Sequence, residues 1–167
     1  MRVRKDDTGQ GLTAAVCLLA RDKGEINIAF QMPLYPMLDD HDTQSSSNNK
    51  APVWNTRSNH KAWNEYLRGL EGSTPPAYAA PARNVDCSGL PPAYTFVGDI
   101  EPFYCETLDY VTNLQNAGID ALVDVYPKWF HAYDVVLPFT KKAKQAIARF
   151  EERFQYAVAT YFAPQNQ

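Results

Sequence analysis

The sequence has no apolar run long enough to cross a membrane, no large charge excess of either sign and no internal repeat. Each absence removes a class of protein. A spanning helix needs about 20 consecutive apolar residues, and the longest apolar stretches here fall well short. No apolar segment followed by a small-residue cleavage site marks the amino terminus as a secretory leader. The expectation is a cytoplasmic chain without a membrane span. Sixteen basic against nineteen acidic residues leave a net charge of −3, and the clear basic runs, Arg2 to Lys5 and Lys141 to Lys144, are short. Nucleic-acid binding is therefore not expected. Cysteine is also scarce. Cys17, Cys87 and Cys105 are odd in number and lack metal-ligand spacing, so neither a disulfide framework nor a metal centre is indicated. Cys17 sits inside an apolar helical pattern and reads as a reduced core thiol.

What is present is a globular composition: 167 residues, 45% hydrophobic and 13% aromatic, enough for one domain with a sizeable core. Gly11 to Asp22 is rich in helix formers and apolar nearly all round, which predicts a buried helix. Ile26 to Leu34 is a β-leaning apolar run closed by Pro36, expected as a strand. A polar, serine-rich loop over Asp39 to Lys50 precedes a helix over Ser58 to Gly69, and the proline-rich stretch Thr74 to Pro92 reads as irregular chain. Ala93 to Val97 predicts a strand, Cys105 to Ala117 a helix stopped at Gly118, and Ala121 to Tyr126 a strand. Pro127 to Pro138 reads as a loop. Thr140 to Phe162 predicts a long amphipathic helix with Ala143, Ile147, Phe150, Phe154, Ala157, Val158 and Tyr161 on one face. Strands alternating with helices of this length imply an α/β fold of about three parallel strands with flanking helices.

In such sheets the loops beyond the carboxyl ends of the strands collect functional groups. The loop after Val97 carries Glu101, and the loop after Tyr126 carries His131. A carboxylate and a histidine on neighbouring strand ends, in that order, suit the last two members of a catalytic triad whose nucleophile lies earlier in the chain. The same residues admit a plainer reading, with Glu101 capping the following helix and His131 packed among aromatics. The run Asp39-Asp40-His41-Asp42 has metal-ligand residue types, but neighbours on one loop rarely converge on one ion, and a solvated turn is the expectation. His60 reads as a helix-surface histidine. Tyr104, Trp129, Phe130 and Tyr133 could line an acyl pocket or simply form core.

The segment Tyr94-Thr95-Phe96-Val97-Gly98-Asp99-Ile100-Glu101-Pro102-Phe103-Tyr104-Cys105-Glu106-Thr107 resembles the acid loop of serine esterases of the α/β-hydrolase fold, in the hormone-sensitive-lipase-like branch. Phe130-His131-Ala132-Tyr133 is similar to that family's histidine loop. Met32-Pro33-Leu34-Tyr35-Pro36-Met37-Leu38-Asp39-Asp40 is similar to a strand-end segment there, and Gly9-Gln10-Gly11-Leu12-Thr13-Ala14-Ala15 to the helix after the nucleophile elbow. The resemblance runs from about Gly9 to Pro164 and covers the carboxyl-terminal half of the fold. It implies a small ester as substrate, with Glu101 as acid and His131 as base, and no cofactor.

The departures from the family pattern matter equally. Where the elbow is Gly-x-Ser-x-Gly, this sequence has Lys5-Asp6-Asp7-Thr8-Gly9, so Asp7 takes the serine's place. The lysine at the first position disagrees with a tight elbow. The strand that would feed the elbow is the basic Met1-Arg2-Val3-Arg4-Lys5, unlike a central parallel strand. Cys105 and His41 stand where the resemblance leads one to expect Asp and Arg. Residues 1–8 are therefore expected to be a degenerate or disordered start of a single partial domain, 1–167, lacking the amino-terminal strands, the oxyanion loop and the cap. Three functions follow: an ester hydrolase deficient as written, a hydrolase of epoxide or haloalkane type using Asp7 as nucleophile, or a non-catalytic interaction module. The strand Ile26 to Leu34 would also lack a neighbour, which predicts self-association through its edge.

Overall fold

The computed structural model describes residues 8–70 and 72–165. Asp7 lies outside the described residues with Lys5 and Asp6, whereas Thr8 and Gly9 of the elbow-equivalent segment open a helix, so the expected disordered start does not extend to Thr8. The first helix, α1, spans Thr8–Lys23, opening three residues earlier than the apolar pattern indicated. The second, α2 at Thr56–Tyr66, begins earlier than Ser58 because Asn55 is the cap, its side chain accepting from the Ser58 N–H. The proline-rich segment stays irregular except for a 3-10 turn at Pro81–Arg83. Strand β1 covers Ala93–Gly98, α3 Tyr104–Asn116, and β2 Ala121–Tyr126. A short helix, α4 at Tyr133–Val136, interrupts the expected loop, and α5 runs from Lys141–Thr160 behind a Thr140 cap.

β1 and β2 pair in parallel, from Ala93 opposite Ala121 to Gly98 opposite Tyr126. The third expected strand forms only in part. Ile26 to Leu34 lies along the other side of β1 but makes a single bridge, Gln31 to Ala93. Its hydrogen bonds to the β1 side run from Gln31 N–H to Pro92, from Tyr94 N–H to Gln31, and from Tyr35 N–H to Phe96. Pro33, between Gln31 and Tyr35, has no N–H to extend that series. Among the described residues the sheet is therefore two strands with an extended segment beside them.

The two faces of this sheet bury different helices. On one, Ala93 and Ala121 pack with Ala14, Cys17 and Leu18 of α1 and with Tyr110 and Leu114 of α3. On the other, Tyr94, Phe96 and Tyr126 pack with Ala143 and Ala146 of α5 and with Tyr133. Cys17 is buried and unpaired, and burial pushes its thiol up to about 12, so it behaves as the inert core residue expected. The apolar face of α5 is only partly covered. Ala143 and Ala157 are buried, yet Phe154 is 53% and Val158 70% exposed. Among the described residues, no helix is long and apolar enough to cross a membrane.

Candidate active site

Because the two strands are parallel and in register, Gly98 and Tyr126 end side by side and their loops leave from one edge of the sheet. That juxtaposition brings Glu101 and His131 together across 30 residues of chain. Glu101 Oε2 lies 2.5 Å from His131 Nδ1, with both side chains fully buried. The other carboxylate oxygen accepts the Gly98 N–H at 2.9 Å. With the carboxylate accepting, Nδ1–H is the donor and Nε2 becomes the nitrogen that can take up a proton. Burial pushes the Glu101 carboxyl above its ordinary value, opposed by the hydrogen bond and charge of His131 and by the Gly98 N–H. Glu101 does not cap α3, whose first turn is served instead by Ser45 Oγ, accepting the Cys105 N–H at 3.0 Å.

The close approach of the two loops depends on Gly98. A Cβ there would sit 2.0 Å from the Trp129 carbonyl oxygen, so only glycine lets the end of β1 pass against the histidine loop. The Asp99 carboxylate then accepts the Lys128 N–H at 2.6 Å, tying the loops a second time. Lys128 and Ala132, which flank His131 in the sequence, both adopt left-handed backbone conformations, with φ of 66° and 56°. The imidazole stands in an aromatic box. Tyr35 and Phe103 meet it edge-on at centroid distances of 4.6 and 5.0 Å, and Trp54 is tilted against it at 5.8 Å. The sequence pattern marks no role for these three. Tyr35 lay in a recognised strand-end segment, but nothing in periodicity links residues 35, 54 and 103 to residue 131.

The remaining candidates separate from this site. Tyr133 is fully buried against Phe96 and Tyr126, so it is core and not pocket lining, while Trp129 and Phe130 pack at the margin of the same cluster. Asp39, Asp40 and His41 do bring their ligand atoms within 4.8 Å of one another. Asp40 is nevertheless engaged by Arg83, with 2.7 Å bonds from both Nε and one terminal nitrogen. Burial alone would raise the Asp40 carboxyl, and Arg83 outweighs it to hold the group below its ordinary value. The turn is ion-paired rather than simply solvated. His60 is exposed on α2 and pairs with Asp42 at 2.8 Å.

Glu106 is a further buried carboxyl, one that no local sequence pattern marks. It is fully enclosed at the start of α3 and accepts the Leu38 N–H at 2.8 Å. Burial pushes its carboxyl well above the ordinary value, against the pull of the Leu38 and Asp39 N–H groups. A carboxyl whose folded pKa exceeds its unfolded one binds more protons when folded. Its contribution to stability is present below the unfolded value of about 4.3 and is lost as pH rises through the folded value. Glu106→Gln removes that loss. The variant should therefore melt above the parent at pH 8, with the gap closing toward pH 4 in thermal melts across that range; a gap that is constant with pH would contradict the assignment.

Glu101 and His131 both fall within the segment 6–135, which matches a family model described as the alpha/beta hydrolase fold. The chain belongs to that family. Curated relatives within it are esterases: Esterase LipI of Mycobacterium tuberculosis is 29% identical over 133 residues, covering 78% of this chain and 42% of the relative. Carboxylesterase NlhH of the same organism is 31% identical over 138 residues, with the same coverage. Among solved structures, esterase LipW from Mycobacterium marinum superposes with a TM-score of 0.84 at 29% identity, covering 90% of this chain and 48% of LipW. A bacterial heroin esterase superposes at 0.78 with 31% identity, covering 85% and 46%. This hydrolase-fold chain thus spans about half the length of the relatives it matches.

Proposed function

We propose that the chain supplies the acid and base half of a carboxylic-ester hydrolase, with His131 as the proton-transferring base and Glu101 as the carboxylate that orients and charge-stabilises it. The buried 2.5 Å contact between Glu101 and His131 Nδ1 carries this reading. In ester hydrolysis of this type, the imidazole takes the nucleophile's proton as the acyl bond forms and returns it to the departing alkoxide. It then removes a proton from water to release the acid. The carboxylate pays for the transient imidazolium. A small ester is the substrate that this chemistry and the esterase relatives suggest, and neither needs a cofactor or a metal.

Nothing in the sequence has the form Gly-x-Ser-x-Gly, and Asp7 stands at the serine's place. Without a serine in that setting the chain is expected not to turn over esters by this route, because no hydroxyl is placed to form the acyl intermediate. The purified chain is expected to leave short-chain p-nitrophenyl esters unhydrolysed and to take no label from a fluorophosphonate probe. Stoichiometric labelling abolished by mutating one serine would overturn this. If Asp7 is instead an aspartate nucleophile, the chain should hydrolyse an epoxide or haloalkane, and Asp7→Asn should abolish that activity.

A further inference from the structure

We propose that the loop over residues 43–56 is a brace for the acid loop, and that Ser45 and Asn49 are positioning residues for Glu101. The inference rests on the acid and base reading above and adds to it two residues that act through Glu101 without touching the reacting atoms. Ser45 Oγ donates to the Pro102 carbonyl at 2.6 Å and accepts the Cys105 N–H at 3.0 Å. Asn49 Nδ2 donates to the Ile100 carbonyl at 2.9 Å and to the Ser45 carbonyl at 3.0 Å. The backbone is thus held on both sides of Glu101, at Ile100 before it and at Pro102 and Cys105 after it, by side chains more than 50 positions away in sequence.

The brace is itself stiff. Thr56 Oγ1 donates to the Ser46 carbonyl at 2.5 Å and accepts the Asn49 N–H at 2.7 Å, while Asn49 Oδ1 accepts the Ala51 N–H at 2.8 Å. Its far end places Trp54 against both Phe103 and His131, at centroid distances of 6.0 and 5.8 Å. One loop therefore fixes the carboxylate's backbone and one wall of the imidazole's box. Acid loops without such support would let the carboxylate swing, because residues 99–103 are in no helix or strand of their own. A 2.5 Å contact between two buried groups tolerates little displacement, so supporting hydrogen bonds decide whether it persists.

A proton held between a buried imidazole and a carboxylate at this distance resonates far downfield in one-dimensional proton NMR. The His131→Ala variant assigns the signal. Ser45→Ala and Asn49→Ala are each expected to broaden, shift or abolish it, and Ser45→Thr, which keeps the hydroxyl, to restore it. Thr140→Ala provides the control, since it removes the cap of α5, whose hydroxyl accepts the Ala143 N–H at 3.2 Å, and destabilises the fold through a bond that involves no residue of the brace. The signal should survive there. An unchanged resonance in both Ser45→Ala and Asn49→Ala, or its loss in Thr140→Ala as well, would overturn the brace while leaving the Glu101 and His131 pair intact. Absence of the signal from the unmodified chain would sink the pair, and the brace with it.

Discussion

Glu101→Ala is expected to lower the stability of the chain by about 3 to 5 kcal/mol, the usual consequence of removing one partner from a buried pair. Two groups lose their acceptor at once, the His131 Nδ1 and the Gly98 N–H. Neither can turn to solvent, because the pair is fully enclosed. For a chain of this length that corresponds to a fall in Tm of roughly 10 °C. Glu101→Gln should cost less, since its amide oxygen can still accept one of the two bonds. Thermal or urea melts of both variants test this, and a loss below about 1 kcal/mol for the alanine variant would put the pair in the class of exposed ion pairs and contradict its burial.

The second large effect concerns the outer edge of the segment Ile26 to Leu34. Gln31 and Tyr35 hydrogen-bond toward β1, so the alternating residues Ile28, Phe30 and Met32 present their backbone groups on the opposite side. The helices on both faces overhang this edge with uncovered apolar side chains: Leu12 and Val16 of α1 are 41% and 53% exposed, and Phe154 and Val158 of α5 are more than half exposed. None of residues 26–34 is charged. β2 differs, since there Asp124 is held by Tyr94 and Arg149. Leaving roughly 400 Å² of such surface in water forgoes about 10 kcal/mol, comparable to a domain's whole margin of about 5 to 15 kcal/mol. The isolated chain is therefore expected to self-associate through this edge in light scattering, and Phe30→Lys with Met32→Lys to return it to monomer. A dilute, cooperative monomer melting well above about 60 °C would show that the sheet closes its own core.

Local patterns made most of this fold legible. The runs that became α1, β1, α3, β2 and α5 were each marked by composition, period or a stop signal, and the structure moved their ends by a few residues at most. Ile26 to Leu34 carried an equally good strand pattern but formed one bridge, because a strand's ladder depends on its neighbours and Pro33 interrupts the one it has. The short α4 was hidden, since Tyr133 to Val136 is too brief to show a period. Glu101 and His131 were legible because strand ends are readable and the register of parallel strands brings their loops to one edge. The brace from Ser45 and Asn49, the aromatic box, and the enclosure of Glu106 were not. All three arise from contacts between segments distant in sequence, which no local pattern encodes.

The most direct test joins this chain, from α1 onward, to the part of the M. marinum esterase LipW that the match leaves uncovered, 48% of LipW being covered. Turnover of a p-nitrophenyl ester by the fusion would then depend on groups contributed by both parts. The fusion is expected to be a monomer whose turnover falls by at least about a thousandfold in His131→Ala, because the nucleophile is left without its base. A folded fusion that hydrolyses the ester equally well with and without His131 would contradict it.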